Sequence, residues 1–499
     1  MTLSYTGVNG GLVLISADDP GMHSSQNEQD NRHYARFAKI PMLEPSDSEE
    51  ARDFVVAGLE MSEKFDTPVM LRTTTRISHS RSTLVVGERT DKAVGGFKKN
   101  PAKYVMLPGF ARQRHPIIEE RLLALEEEAE SSPFNRIETG SDELGVICSG
   151  VVYQYAREAL PEASFLKLGF SYPLPKKLIR RFTSTVKQII VIEELDPFME
   201  EQIKAMQLDI PVKGKELFGL LGELGTEIIR EKVKGEKFDP LSIRSNIPAR
   251  PPVMCPGCSH RGVFYALKKL KLTVTGDIGC YTLGALPPLQ SMDTCICMGA
   301  SVGVATGMAR ANPESAKNTV AVIGDSTFLH SGITGLLDAV YNQAPITLMI
   351  LDNGTTAMTG LQAHPGTGST LQGTDTAAVD LEALCRSLGV KRVKVIDAFD
   401  LKLVRDTIKE EVNAAEPSVI ITRQPCVFLL TAFEEPLYVD EELCTGCKSC
   451  MGLGCPAISF KDEKARINAT ICNGCGLCAQ LCPVDAIKSI SEKAGGSND

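Results

Sequence analysis

Eight cysteines stand between Cys444 and Cys482, in two runs of nearly the same spacing. The first run is Cys444-x2-Cys447-x2-Cys450-x4-Cys455-Pro456, and the second is Cys472-x2-Cys475-x2-Cys478-x3-Cys482-Pro483. Both end alike, in Cys455-Pro-Ala-Ile458 and Cys482-Pro-Val-Asp-Ala-Ile487, so the segment is an internal duplication. Three thiolates at three-residue intervals can wrap three corners of an iron–sulfur cubane, with the fourth ligand coming from the other run. The pattern predicts two [4Fe–4S] clusters. Cys444, Cys447, Cys450 and Cys482 would hold one, and Cys472, Cys475, Cys478 and Cys455 the other. Gly446, Gly474 and Gly476 let the backbone approach the sulfides and donate N–H groups to them. The x4 interval of the first run alters a loop and leaves the ligand count whole. Four thiolates also suit zinc, although zinc ribbons rarely use two consecutive x2 intervals closed by Cys-Pro.

A second set of residues offers oxygen. The apolar run Asn318–Gly324 leads into Gly324-Asp325-Ser326, and about 25 residues later Ile346–Leu351 leads into Asp352-Asn353-Gly354-Thr355. A Gly-Asp pair followed at this distance by Asn is the thiamine diphosphate signature. Mg²⁺ wants six oxygens in a near-octahedral shell, some of them from phosphates. Asp325 would give a carboxylate, Asn353 an amide oxygen and Thr355 its backbone carbonyl. Ser331–Asn342 fits the crossover helix that makes the two strands parallel neighbours. Two ordinary strand ends are the alternative. Further glycine-punctuated segments could line a diphosphate or thiazolium. These place Gly279, Cys280, Tyr281, Gly299, Ala300, Ser301, Gly324 and Ser326 among the expected cofactor contacts.

Such groups must be carried by an ordered framework. The chain has 499 residues, 43% hydrophobic and 23% charged, which is ordinary for a globular protein of several domains and excludes general disorder. Short β-rich runs alternate with helical patterns: strands at Gly11–Ser16, Thr67–Thr73, Gly145–Gly150 and Ile189–Glu193, helices at Ser48–Lys64, Val151–Leu160 and Pro197–Met206. This grammar predicts an α/β multidomain protein with doubly wound parallel sheets, followed by a C-terminal α+β two-cluster ferredoxin domain. The expected division is an α/β unit at 1–100, a connector at 101–139, a second unit at 140–230 and a linker at 231–249. A cofactor-binding unit at 250–428, the cluster domain at 438–490 and a disordered tail at 491–499 follow. A helix is expected near Ile117–Glu130, and its Glu126-Glu127-Glu128 reads as a solvated face. No apolar run approaches the roughly 20 residues needed to span a bilayer, and the first residues do not read as a secretory signal. A cytoplasmic location is expected, with no membrane partner. The net charge of -9 argues mildly against nucleic acid.

Several motifs resemble one family in order and type: Ala17-Asp-Asp-Pro-Gly-Met-His-Ser-Ser-Gln-Asn-Glu-Gln-Asp30, Cys255-Pro-Gly-Cys-Ser-His-Arg261 and Gly276-Asp-Ile-Gly-Cys-Tyr-Thr-Leu-Gly284, then Asp293-Thr-Cys-Ile-Cys-Met-Gly-Ala-Ser301 and Asp352-Asn-Gly-Thr-Thr-Ala-Met-Thr-Gly360. They resemble the alpha subunits of indolepyruvate ferredoxin oxidoreductases, over nearly the whole chain. The resemblance implies thiamine-binding folds, with a pyrimidine-binding domain at 1–100, a transketolase C-terminal-like domain at 140–230 and the diphosphate and Mg²⁺ domain at 250–428. It implies oxidative decarboxylation of aryl pyruvates with coenzyme A, yielding arylacetyl-CoA, carbon dioxide and reduced ferredoxin. The implied partners are a smaller beta subunit and ferredoxin, in a hetero-oligomer such as α2β2. It also implies a stretch ahead of the segment matching Met1, holding the Glu that activates the aminopyrimidine; no residue here takes that role.

The same resemblance sets Cys255, Cys258, Cys280 and Cys426 as ligands of a third [4Fe–4S] cluster, against the reading of buried structural thiols. Cys295 and Cys297 compete as ligands, while Cys148 and Cys385 read as core. His260 and His364 are the expected catalytic residues, as proton donors or contacts to a substrate carboxylate, against a structural role. His23 and Glu28 are expected to line the site, and Met292, Met298 and Met358 to wall an apolar substrate pocket. The competing functions are an electron-transfer or scaffold subunit with an incomplete thiamine site, an oxidoreductase for another 2-oxoacid, and a non-oxidative decarboxylase.

Overall fold

The computed structural model describes residues 1–89, 95–238, 247–248 and 250–491. Parts of the expected linker (239–246 and 249) and the tail from 492 onward lie outside the described residues. The chain divides into two compact units, Met1–Arg244 and Ser245–Asp499.

The first unit is built on two sheets. One has the order β1-β3-β2-β7, with β1 (Val13–Asp18), β3 (Val69–Thr74) and β2 (Met42–Leu43) parallel and β7 (Phe170–Tyr172) antiparallel to β2. The other has the order β4-β6-β5-β8-β9: β4 (Asn135–Glu138), β6 (Ala163–Leu168), β5 (Ser141–Ser149), β8 (Ile189–Ile192) and β9 (Val212–Lys213). The run Ile189–Ile192 is apolar at every position because all four side chains are buried, as a strand covered on both faces requires. The segment 101–139, expected as a connector, carries a helix over Pro108–Ser131 that is longer than its apolar pattern suggested. Leu125 and Ala129 of that helix join Leu43, Phe54, Val69 and Phe170 in one core. A helix that fills a core is part of the unit it packs in. Its acidic run is paired: Glu126 with Lys176, Glu127 with Lys177 and Glu128 with Lys64.

Buried charge is concentrated at the strand ends of this unit. Arg32 is 1% exposed and reaches Asp30, Glu193 and the carbonyls of Glu194 and Asp196. Burial alone would raise the Asp30 carboxyl, but the hydrogen bonds and charge of Arg32 outweigh it and hold it at about 2. A carboxyl depressed on folding stabilises the protein above its unfolded pKa, and that contribution is lost as pH falls through the folded value. Asp30→Asn is therefore expected to lower stability by about 2 kcal/mol at pH 7, a deficit that should shrink below pH 4. Urea midpoints of both proteins across pH 3–7 check this; a deficit independent of pH would contradict it.

The second unit holds a six-stranded, wholly parallel sheet. Its strands are β10 (Thr273–Gly276), β11 (Thr294–Cys295), β12 (Thr319–Gly324), β13 (Thr347–Asp352), β14 (Arg392–Asp397) and β15 (Ser418–Arg423), in the order β11-β10-β12-β13-β15-β14. Two apolar cores flank it, one around Val302, Leu336 and Ile350 and one around Phe264, Val322 and Met349. From β10 the chain crosses to β11 on one side, whereas β12 lies on the other. That reversal is the switch point where doubly wound sheets bind ligands, beyond the carboxyl ends of the strands. The cysteine-rich segment follows as two antiparallel pairs: β16 (Leu437–Val439) with β19 (Ile487–Ser489), and β17 (Ile458–Lys461) with β18 (Lys464–Ile467). The β16–β19 pair ties the two ends of the duplicated segment together.

Candidate functional site

At the switch point the ends of β10, β12 and β13 open on a cleft, the usual place for a ligand in such a sheet. Its lining includes His260, Gly279, Cys280, Tyr281, Asp325 and Asn353. Asp325 is 2% exposed. It accepts the backbone N–H of Ser326 at 2.8 Å, of Gly354 at 2.8 Å and of Asn353 at 3.2 Å. The carboxylate thus ties the end of β12 to the end of β13, which Gly354 can turn at φ 72°. The Asn353 amide oxygen accepts the Thr355 N–H at 3.2 Å. Asp352 pairs with Arg423 at 2.7 Å; burial raises its carboxyl, Arg423 lowers it, and the neighbouring Asp325 raises it by both charge and hydrogen bonding. One end of the cleft therefore gathers a carboxylate, an amide oxygen and the Thr355 backbone, an all-oxygen set that suits Mg²⁺.

Tyr281 closes the floor. Its hydroxyl accepts the Gly324 N–H at 2.9 Å and donates to the Ile278 carbonyl at 3.1 Å, and burial pushes its pKa up. A Cβ on Gly279 would sit 2.2 Å from the Tyr281 ring, so that ring fixes the glycine. His260 meets Tyr281 edge-on at 5.7 Å. Burial pushes the His260 imidazole down to about 4 against a smaller opposing pull from Asp325. It is uncharged at neutral pH, with Nε2 3.4 Å from Asn353 Nδ2.

Not every expected contact faces the cleft. Gly299 and Ser301 turn their N–H groups to Asp277, at 2.7 Å and 3.4 Å, and Ser301 Oγ adds a bond at 3.2 Å. Asp277, fully buried, thereby caps the helix Ala300–Ala311 that Ala300 begins. Burial raises the Asp277 carboxyl and these donors pull it back down. The signal that marks Asp277 is its Gly276-Asp277 pair at a strand end, which repeats Gly324-Asp325. His364 lies behind Asp325, with Nε2 3.2 Å from Oδ2, and does not line the cleft. Met298 and Met358 do line it, whereas Met292 packs against Gly276. In the first unit, Glu28 accepts the N–H groups of Gly21 and Gly222, and His23 pairs with Glu223 at 3.2 Å.

The cysteines gather as two separate walls. Cys444, Cys447, Cys450 and Cys482 line one cavity, and Cys455, Cys472, Cys475 and Cys478 line another. Each wall takes its fourth cysteine from the other run. Among the described residues no three cysteine sulfurs lie within 4.8 Å of one another, wider than the roughly 3.8 Å that tetrahedral Zn–S bonds near 2.3 Å impose.

Cys255, Cys280 and Cys426 influence one another electrostatically, and Cys258 is influenced by Cys255 and Cys280. Burial raises the Cys255 and Cys280 thiols and charge on Cys426 raises both further, while burial pushes Cys258 up to about 12. The Cys426 N–H also donates to the Asn353 carbonyl at 2.9 Å. The competing Cys295 donates instead to the Asp277 carbonyl at 3.5 Å, and Cys297 is exposed. Cys148 and Cys385 are wholly buried, with burial pushing both up to about 12, as inert core thiols.

Residues 277–422 match the thiamine pyrophosphate enzyme C-terminal TPP-binding domain, and residues 436–492 the 4Fe-4S dicluster domain. The chain is 40% identical over 546 residues to the indolepyruvate oxidoreductase subunit IorA of Pyrococcus horikoshii, covering 99% of this chain and 84% of that protein. It belongs to the indolepyruvate oxidoreductase IorA family. The IorA subunit of Methanothermobacter thermautotrophicus is also 40% identical, over 517 residues, 98% of this chain and 83% of the relative. The pyruvate synthase subunit PorD of Methanothermobacter marburgensis is 41% identical over 56 residues, 11% of this chain and 67% of its own length. This IorA-family chain is thus an oxidoreductase subunit with a thiamine-diphosphate-binding domain and a 4Fe-4S dicluster domain. No described helix is long and apolar enough to cross a membrane.

Proposed function

We propose that the chain catalyses oxidative decarboxylation of aryl pyruvates, indolepyruvate among them, with coenzyme A, giving arylacetyl-CoA, carbon dioxide and reduced ferredoxin. The observation that carries this is the pairing, in one compact unit, of an oxygen-ligand cleft at a thiamine-domain switch point with two four-cysteine cavities. Thiamine diphosphate, when bound, supplies the electron sink on which a 2-oxoacid can lose carbon dioxide. Asp325, Asn353 and the Thr355 carbonyl would hold Mg²⁺ on its diphosphate. His260, buried and neutral in the cleft wall, can hand on a proton without leaving a buried charge. His364 positions Asp325 from behind. Met298 and Met358 give an aryl group an apolar wall.

Iron–sulfur groups take electrons singly, as a ferredoxin accepts them. Each set of four cysteines would hold one [4Fe–4S] cluster, and Cys255, Cys258, Cys280 and Cys426 would hold a third. Arg261 supports a route between them: its guanidinium donates to the carbonyls of Leu453 and Gly454 at 2.8 Å and 2.7 Å and of Cys255 at 3.1 Å. The Cys255–Cys258 loop is thereby fastened to the segment that ends in Cys455, and Pro256 and Gly257 line the cavity of Cys455. The working assembly on this reading includes a smaller beta subunit, in the cytoplasm, as a hetero-oligomer such as α2β2.

Anaerobically purified chain, combined with its smaller subunit, is expected to reduce a viologen when given both indolepyruvate and coenzyme A. Failure of iron-replete, thiamine-loaded protein in that assay would sink the reading.

A further inference from the structure

The second unit carries a groove of about 1200 Å³ lined by Lys269, Lys402, Arg405, Lys409, Gln480 and Leu481, with Tyr265, Ala266, Leu270 and Leu401 as its apolar part. Four of these residues are cationic and none is acidic. Lys402, Arg405 and Lys409 recur at helical spacing along Leu401–Glu411, so they form one stripe. Lys269 extends it from the helix His260–Leu270, its ammonium 5.4 Å from the centre of the Tyr265 ring. Arg405 shares its charge with Asp406 at 3.1 Å. Lys402 and Lys409 make no ion pair among the described residues, and both are exposed.

The groove lies against the cluster domain. Gln480 accepts the Leu401 N–H at 3.0 Å and donates to the Phe399 carbonyl at 2.7 Å. It thus pins the start of the basic helix to the segment Ala479–Leu481. That segment runs from Cys478, which lines one four-cysteine cavity, to Cys482, which lines the other. A body seated in the groove rests on one of the two short stretches, Cys450–Cys455 and Cys478–Cys482, that run from one cavity to the other.

We infer that this basic groove is the docking surface for a small acidic one-electron carrier protein of the ferredoxin type. The inference rests on the proposed activity and adds where the carrier binds. Charge supplies the argument. A chain of net charge -9 repels an acidic protein at long range, so productive encounter needs a local patch of opposite sign beside the electron donor. Electron-transfer encounters need little area, commonly under about 1200 Å² in total, so a short stripe of cations with an apolar floor can serve one. A nucleotide phosphate could also meet lysines here, so coenzyme A is the other occupant to be tested.

The test compares acceptors in the whole assembly. With an acidic 2[4Fe–4S] ferredoxin as acceptor, K402E/K409E is expected to raise KM about tenfold at low ionic strength, and K402Q/K409Q to raise it less. Viologen reduction, which needs no docking, and the KM for coenzyme A should stay at wild-type values in both variants. Added salt should narrow the difference between wild type and variants. An unchanged KM for ferredoxin with intact viologen reduction would overturn the docking surface, and so would a rise in the KM for coenzyme A alone. Absence of viologen reduction in the wild-type assembly would overturn the activity on which the surface depends.

Discussion

Asp325→Ala is expected to lower turnover at least about a thousandfold and to leave the purified protein without thiamine diphosphate. Two losses coincide at this residue. The carboxylate is the charged member of the oxygen set at the end of the cleft, while the neighbouring Asp352 carboxylate is engaged by Arg423. It also accepts three backbone N–H groups, from Ser326, Asn353 and Gly354. Truncation leaves those buried donors unpaired, and the loop carrying Asn353 and Thr355 loses its anchor. Asp325→Asn separates the two effects. It preserves size and one acceptor oxygen, so the fold and the iron content should hold while cofactor retention and turnover still collapse. Thiamine content by fluorescence and viologen reduction on the same sample provide the readout. An Asp325→Asn protein with stoichiometric cofactor and near wild-type turnover would remove Asp325 from the metal site.

Cys482→Ser should cost the cluster of the other run. The residue belongs by sequence to Cys472, Cys475 and Cys478, yet it lines the cavity of Cys444, Cys447 and Cys450. Loss of about half of the dicluster-domain iron is expected, with ferredoxin-linked turnover down about a hundredfold or more because one relay is gone. Double variants make the crossing visible through non-additivity. Cys482→Ser combined with Cys444→Ser strikes one cluster twice and should lose no more iron than Cys482→Ser alone. Cys482→Ser combined with Cys472→Ser strikes both clusters and should lose all of that iron. Iron analysis and low-temperature EPR of the reduced proteins decide the matter, and the reverse pattern would mean that each run closes its own cluster.

Much of the framework was legible because its signals are local. The strand at Thr347–Asp352 and the helix at Ser48–Phe65 arise within a residue or two of where their apolar patterns put them. The strand ends carrying Asp325 and Asn353 follow from a glycine or asparagine at the close of a buried run. The helix Pro108–Ser131 starts ahead of the expected Ile117 because its first two turns carry few apolar residues and Pro116 follows them in the third. Its place in a core depends on partners such as Leu43 and Phe170, which are distant in sequence. Gly299 and Ser301 were expected to line a diphosphate or thiazolium. Nothing local reveals that Asp277, more than twenty residues earlier, already accepts from them.

By itself the sequence determined the chemistry available: thiolates in duplicate at cluster spacing, a carboxylate and an amide at two strand ends, and glycines where backbone must come close. Those are properties of residue type and spacing, and spacing along a chain survives in any fold. Only the tertiary structure decided which groups share a site. It turned His260 into the cleft and left His364 behind Asp325, set Asp277 to capping a helix, and brought Lys269 beside Lys402 and Lys409 along one groove. Those choices rest on packing between segments far apart in the chain, where burial sets each group's charge and partners, and no local pattern records them.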